Sequence, residues 1–336
     1  MKFGMGQAVP RFEDPRLLRG GGRYTDDINL PGQVRGYVLR SPHAHARILS
    51  IDAAAALEMP GVLAIYTGAD WAADDLGYMP CMAAILIPLK RDNGEPIYVP
   101  KRPPLVADRV RFVGDYVAFV VAETLDQAKD AAELIEVDYE ELPSVTDAAE
   151  ALQPDAPVLW DDCEDNVCFV QRMGDKATVE AAFAEADHVT EFDVPVTRLA
   201  QNPMETRAAL GEYDPYNDRY TLHSGTQSPH DTRNFLAEHV MKIPISKLRL
   251  ISPDMGGGFG LRGSTFPEHA LVLWAAKKLG RPVKWVADRA EHFLADDQGR
   301  DCRLHVELAL TKDGEFKAMR INSVAALGAY AGFFGP

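Results

Sequence analysis

Five glycines fall within eight residues, Gly256, Gly257, Gly258, Gly260 and Gly263, in a stretch that reads Met255-Gly256-Gly257-Gly258-Phe259-Gly260-Leu261-Arg262-Gly263. A segment so poor in Cβ atoms makes a weak helix or strand interior, and it serves where the backbone must bend or come close to something else. Its flanks show what it joins. Leu248–Ser252 reads as a strand and Ser264–Leu279 as a helix, with Pro267 in its first turn and Gly280 at its end. Glycines here let backbone N–H groups converge, which suits an anionic or oxo ligand better than a plain tight turn does.

A second connection has the same form. Tyr220–Ser224 reads as a strand leading into Gly225-Thr226-Gln227, after which Ser228 and Pro229 supply an N-cap and an N1 proline for a helix running to about Met241. Gln227 is thereby expected at a helix mouth. From Gly258 to Gly263 the glycine run also matches G-x-G-x-x-G, with Asp288 after the next strand, so a nicotinamide-dependent dehydrogenase is the alternative reading. Pro253-Asp254-Met255 weakens it by separating strand from glycines, and the strand itself carries Arg249, unlike the apolar run of a buried parallel strand.

The remaining elements indicate an α+β chain. Val34–Leu39, Ile48–Ile51, Val62–Tyr66 and Val110–Val121 read as strands; Thr124 to Gln127 forms a capping-box-like start for a helix over 128–135, and Glu136–Glu140 alternates as a strand. Pro143, Pro154 and Pro157 mark an extended surface stretch, which places a domain boundary between about 145 and 165. Beyond it, Thr178–Ala186 reads as a helix, and Val189–Val196 and Arg207–Tyr213 as strands.

Fifty acidic against 35 basic residues give a formal charge of −15, with no basic cluster, which argues against nucleic acid as a partner. The opening residues lack an apolar signal region and no stretch is long and apolar enough to span a bilayer, so a cytoplasmic protein is expected. Cys163 and Cys168 have C-x4-C spacing, but without a close third cysteine they read as structural thiols rather than cluster ligands. His43 and His45 read as packing or hydrogen-bonding residues. Glu205, beside the turn at Asn202-Pro203, is open to three roles: base, salt-bridge partner or solvated acid.

Several segments in order resemble one family. Gly20–Asp27, Arg40-Ser41-Pro42-His43-Ala44-His45-Ala46-Arg47-Ile48, Pro60-Gly61-Val62 and Val113-Gly114-Asp115 resemble the opening of the large subunits of the xanthine dehydrogenase, aldehyde oxidase and carbon monoxide dehydrogenase family. Thr226-Gln227-Ser228-Pro229-His230, Gly256–Gly260 and Gly280-Arg281-Pro282-Val283-Lys284 resemble later signatures of the same subunit. The resemblance implies an α/β hammerhead-like domain over 15–145 and the N-terminal portion of a mixed α+β molybdopterin-binding domain over 165–336.

It further implies a molybdenum–molybdopterin cofactor, with the cytosine dinucleotide form among the options. Gln227, Gly257, Gly258, Phe259 and Gly260 would contact it, Gln227 and Phe259 lying near the metal without being direct ligands. The implied reaction hydroxylates an aldehyde, an N-heterocycle or carbon monoxide with water as oxygen source, and electrons leave through iron–sulfur and FAD groups on partner chains. The family's large subunit runs well past this length, and its catalytic glutamate lies in the remainder, so no catalytic residue is assigned here and a complementary C-terminal half is an expected partner. Purine-oxidising relatives carry an acidic residue where this chain has Gly263, which argues against a purine substrate. A noncatalytic assembly module is the other alternative, motivated by the apolar stretch Ala325–Pro336, expected to be sticky unless something covers it.

Overall fold

The computed structural model describes residues 6–333. In chain order its strands are β1 (Val34–Arg40), β2 (Ala46–Asp52), β3 (Val62–Thr67), β4 (Arg109–Val110), β5 (Tyr116–Ala122), β6 (Glu136–Glu141), β7 (His188–Leu199), β8 (Ala208–Asp214), β9 (Arg219–His223), β10 (Leu248–Ile251), β11 (Val283–Val286), β12 (Gly299–Leu310) and β13 (Phe316–Ala325). Seven of them form a mixed sheet in the order β10-β9-β8-β11-β1-β5-β3, and two three-stranded sheets run β13-β12-β7 and β4-β2-β6. The fold is α+β, with a hammerhead domain and a molybdopterin-binding domain.

β5 explains the centre of the large sheet. All seven of its residues are buried. Because side chains alternate across a strand, Ala118, Val120 and Ala122 pack against Ala128, Ala131 and Ala132 of the helix Leu125–Glu133, while Phe119 and Val121 join the core that includes the helix Pro267–Leu279, where a register shift at the start of the strand also places Tyr116. Each such large apolar side chain contributes about 1.5–3 kcal/mol on burial. The helix Pro267–Leu279 lies so close to β8 that a Cβ on Gly211 would sit 2.6 Å from the backbone of Val272.

This sheet crosses the expected boundary. β1 pairs in parallel with β11, Val34 opposite Val283 and Arg35 opposite Lys284, so strands from before and after residues 145–165 share one core. A buried ion network reinforces the join. Glu268 receives Arg207 Nη1 at 2.8 Å, Arg40 Nη2 at 3.1 Å and the Tyr116 hydroxyl at 2.8 Å. Arg207 also donates to Asp296 at 2.5 Å, and Arg40 to Glu291 at 2.7 Å.

Three sequence expectations need correction. Val110–Val121 is two strands, since Gly114 at φ +105 and Asp115 make a turn between β4 and β5. The helix after the glycine run begins at Pro267, because the residue before a proline is driven out of helical backbone, and Phe266 is extended at φ −106, ψ 153. The helix opened by Pro229 is α-helical to Phe235 and then π-helical over Leu236–Val240.

In the apolar stretch after β13 the described aromatic side chains pack inward. Tyr330 and Phe333 are buried: Tyr330 stacks edge-on with Trp160 and donates to Asp115, and Phe333 packs edge-on against Phe235. Residues 334–336 lie outside the described residues, as do residues 1–5, on which the expectation about the opening segment partly rests. No helix among the described residues is long and apolar enough to cross a membrane.

Candidate functional site

The two loops singled out in the sequence meet. Gln227 follows β9 and precedes the Ser228 cap, and its Oε1 accepts the Gly260 N–H at 3.0 Å. Its backbone N–H donates to the Arg262 carbonyl at 2.9 Å, so main chain and side chain both bind the glycine segment. Gly258 lies directly against the Gln227 side chain. A Cβ there would stand 2.7 Å from Gln227 Cδ and Oε1, so this contact needs a glycine.

The run bends as its composition demands. Gly257 has φ +113, Phe259 +50 and Gly260 +90, a left-handed region that ordinary side chains rarely adopt. Left-handed residues in such a loop form the concave N–H arrangements that receive anions. Phe259, the one non-glycine residue of the run in this conformation, is 72% exposed. Gln227, Phe259 and Gly260 are exposed and Gly258 is buried, so the segment presents an open wall with a packed back.

Three anchors hold that wall from behind. Arg16 donates to both oxygens of Asp254 at 2.6 and 2.7 Å, and the Arg23 N–H donates to the same carboxylate; the Arg16 hydrogen bonds first, then Arg23, hold its pKa down at about 2. Glu205 accepts the Gly256 N–H at 2.8 Å. Arg262, its side chain 2% exposed, donates to the carbonyls of Glu205 and Thr206 at 2.8 and 2.9 Å.

Arg262 was missed by sequence reasoning, which took it as a filler position of G-x-G-x-x-G. The available signal was a basic residue inside a glycine run, where buried carbonyls need donors. Glu205, left open between three roles, is an anchor of the glycine run.

Behind the anchors His269 accepts the Phe266 N–H through Nδ1 at 3.3 Å, so Nε2 carries the proton toward Ser224 Oγ at 3.2 Å. Ser224 passes its own hydroxyl to the Ala208 carbonyl at 2.8 Å. Burial, more than the neighbouring charges, lowers the His269 pKa to about 4, so this chain is a neutral structural relay.

The dinucleotide alternative does not survive the geometry. Ser264, Thr265 and Phe266 separate Gly263 from the helix, so no glycine of the run opens it. Asp288 is spent as the N-cap of the helix Arg289–Ala295, accepting the Glu291 N–H at 2.8 Å.

Other candidates are accounted for locally. His45 Nδ1 lies 2.7 Å from the Pro143 carbonyl, and His43 packs on Tyr139. The four cysteines are free thiols; Cys168 Sγ donates to the Tyr98 carbonyl. Glu191, His305 and Glu307 come close on the β7–β12 surface, but Arg320 grips Glu307 through two bonds of 2.6 Å and Asp193 takes His305 Nδ1 at 2.8 Å, which makes an ion-pair ladder.

The comparisons with known proteins identify the two domains. Residues 159–336 match the molybdopterin cofactor-binding domain, and residues 19–143 match the aldehyde oxidase and xanthine dehydrogenase a/b hammerhead domain. The carbon monoxide dehydrogenase large chain of Afipia carboxidovorans is 38% identical over 97% of this chain and 40% of its own length. The nicotine 6-hydroxylase large subunit of Paenarthrobacter nicotinovorans is 38% identical over 97% of this chain and 38% of its own length. The nicotinate dehydrogenase large molybdopterin subunit of Eubacterium barkeri is 31% identical, with 99% of this chain and 72% of that subunit aligned.

Among solved structures, the Cu,Mo-CO dehydrogenase superposes with a TM-score of 0.85 at 37% identity over 95% of this chain and 40% of that one. Quinoline 2-oxidoreductase from Pseudomonas putida 86 gives 0.84 at 37%, over 95% and 39%. The chain thus spans about two fifths of the length of most of these relatives. With both domain matches in chain order, it belongs to the xanthine dehydrogenase, aldehyde oxidase and carbon monoxide dehydrogenase family, in the molybdopterin-binding large-subunit lineage.

Proposed function

We propose that this chain forms the cofactor-holding wall of a molybdenum hydroxylase, with Gln227, Gly257, Gly258, Phe259 and Gly260 as its contacts. The observation that carries the reading is the closure of Gln227 Oε1 on the Gly260 N–H, over a glycine where a Cβ would collide with the Gln227 side chain in this position. The donor set suits the group: backbone N–H groups and a neutral amide match oxo, sulfido and phosphate ligands, whereas a cation at this wall would have found little to coordinate it. When bound, the molybdenum–molybdopterin group supplies the redox chemistry of a hydroxylation in which water provides the oxygen.

The chain's own residues do the positioning. With Oε1 engaged, the remaining polar end of the Gln227 amide, Nε2, is committed to donating. Phe259, exposed on a left-handed backbone, offers apolar surface beside it, and the anchors behind keep the loop from collapsing. Neither Gln227 nor Phe259 is a direct metal ligand in this reading.

The proposal extends to the assembly. Residues 15–145 and 165–336 act as two units on one shared sheet. Their partners are a polypeptide matching the remaining length of the longer relatives, an iron–sulfur subunit and an FAD subunit, with a cytoplasmic location. The cytosine dinucleotide form of the cofactor is part of the same proposal. Aldehydes, N-heterocycles and carbon monoxide form the substrate range, consistent with names carried by similar proteins.

Elemental analysis of the chain purified with its complementary polypeptide tests this directly. Molybdenum near one per complex is expected, and its absence would overturn the reading. A Gln227→Ala complex that turned over like the wild type would favour the assembly-module alternative instead.

A further inference from the structure

We infer that Glu205, locked by Arg262, is a positioning residue that sets where the glycine run stands relative to Gln227; this rests on the cofactor reading above. Glu205 brackets Gly256 from both sides of its backbone. The Glu205 N–H donates to the Gly256 carbonyl at 3.2 Å, and Glu205 Oε2 accepts the Gly256 N–H at 2.8 Å. One residue thus replaces a neighbouring strand, using its side chain for half the ladder. The fit is close: a Cβ on Gly256 would lie 2.5 Å from Glu205 Cβ.

Arg262 ties that bracket to the other wall. Its guanidinium donates to the Glu205 and Thr206 carbonyls and reaches Gly225 at 3.5 Å and Glu205 Oε2 at 3.4 Å. At its other end, the Arg262 carbonyl accepts the Gln227 N–H and the Thr226 hydroxyl, each at 2.9 Å. Glu205, Arg262, Gln227 and the glycine run therefore form a closed ring. A shift of Glu205 moves the loop against the amide that contacts it.

The two carboxylate oxygens are used unequally: Oε2 accepts the Gly256 N–H and lies 3.4 Å from Arg262 Nη2, whereas Oε1 makes no hydrogen bond to the described residues. What the carboxylate provides is an acceptor at a fixed reach from Gly256.

The experiment compares wild type with Glu205→Ala, Glu205→Asp and Glu205→Gln in the assembled, molybdenum-loaded enzyme. It reads metal content, the electron paramagnetic resonance signal of the reduced centre, kcat, KM, and hydrogen exchange of the loop around Gly256. In the Ala and Asp variants we expect kcat to fall about tenfold or more, KM to change little, the resonance signal to shift and loop exchange to speed up. Glu205→Gln, which keeps the reach and an acceptor oxygen, is expected to recover most of each readout.

Unchanged kcat and resonance signal in loaded Asp or Ala variants would overturn the inference, as would a Gln variant that fails as badly as Ala. Should the Ala variant not fold, the Asp–Gln comparison decides the matter alone. A wild-type complex without molybdenum refutes the cofactor reading instead, so the two failures are distinguishable.

Discussion

Gly258 and Glu268 show how differently single residues can matter in this fold. At Gly258 an added Cβ meets the end of the Gln227 side chain, which can swing away, so Gly258→Ala is expected to cost less than about 1 kcal/mol in urea unfolding. The same swing breaks the Gln227–Gly260 bond, and turnover of the assembled enzyme should fall about tenfold or more; wild-type turnover would sink the assigned role. Glu268 gives the reverse pattern. It is fully buried, and although burial pushes its carboxyl up, Arg207 and Arg40 outweigh that and hold it at about 2. Glu268→Gln leaves two buried guanidinium groups short of an anion. Because Asp296 and Glu291 remain beside them, destabilisation should lie near the lower end of the usual range, about 3 kcal/mol. A denaturation midpoint equal to wild type would show that the network is not the join it resembles.

Among elements, the helix Pro267–Leu279 and β8 depend on each other through Gly211. A Cβ on Gly211 would press on the Val272 carbonyl group and on Leu273 N, at 2.6 to 2.8 Å, and helix backbone yields far less readily than a side chain. Gly211→Ala is therefore expected to cost about 1–3 kcal/mol, read as a lowered thermal midpoint; no loss would mean that the helix can slide. Much of this level was legible in the residues. The strands β1, β3, β8 and β9 follow their alternating or β-branched runs, and the Thr124 cap works as its spacing suggests, with Gln127 N donating to Thr124 Oγ1. The turn before β5 was not legible, because Asp115 makes it by accepting its own loop's Arg111 and Tyr116 N–H groups, a use of a carboxylate that no periodicity reveals. At the candidate site, the two loops that meet through Gln227 and Gly260 were legible since each carries its own local signature. Their anchors were not: Arg262 and Glu205 act across 57 residues of sequence, and only the folded chain brings such partners together.

At the scale of the whole molecule, β1–β11 pairing and the Arg40–Glu268 contact make the two sequence regions one cooperative body, and its response to acid follows from that shared interior. His269 is buried and held near 4, against about 6.5 when free, so between these values the unfolded chain takes up a proton that the folded chain refuses. Stability present above 6.5 is therefore lost progressively as the pH falls toward 4. Glu268 adds a second limb: free, it titrates near 4.5, and folded at about 2, so its contribution is complete above 4.5 and disappears as the pH falls toward 2. Asp254, also held at about 2, strengthens that limb, whereas Glu291 and Asp115, whose pKa values burial raises, take up protons in the fold above their free values and so offset part of the His269 stage. Urea midpoints across this range should thus decline in two stages. His269→Gln is expected to flatten the upper stage while leaving the lower one, because the amide can still bridge toward Ser224 without titrating. A His269→Gln profile that falls from neutrality to pH 4 as steeply as the wild type's would mean that His269 takes its proton inside the fold, and the neutral relay behind the glycine wall would have to be abandoned.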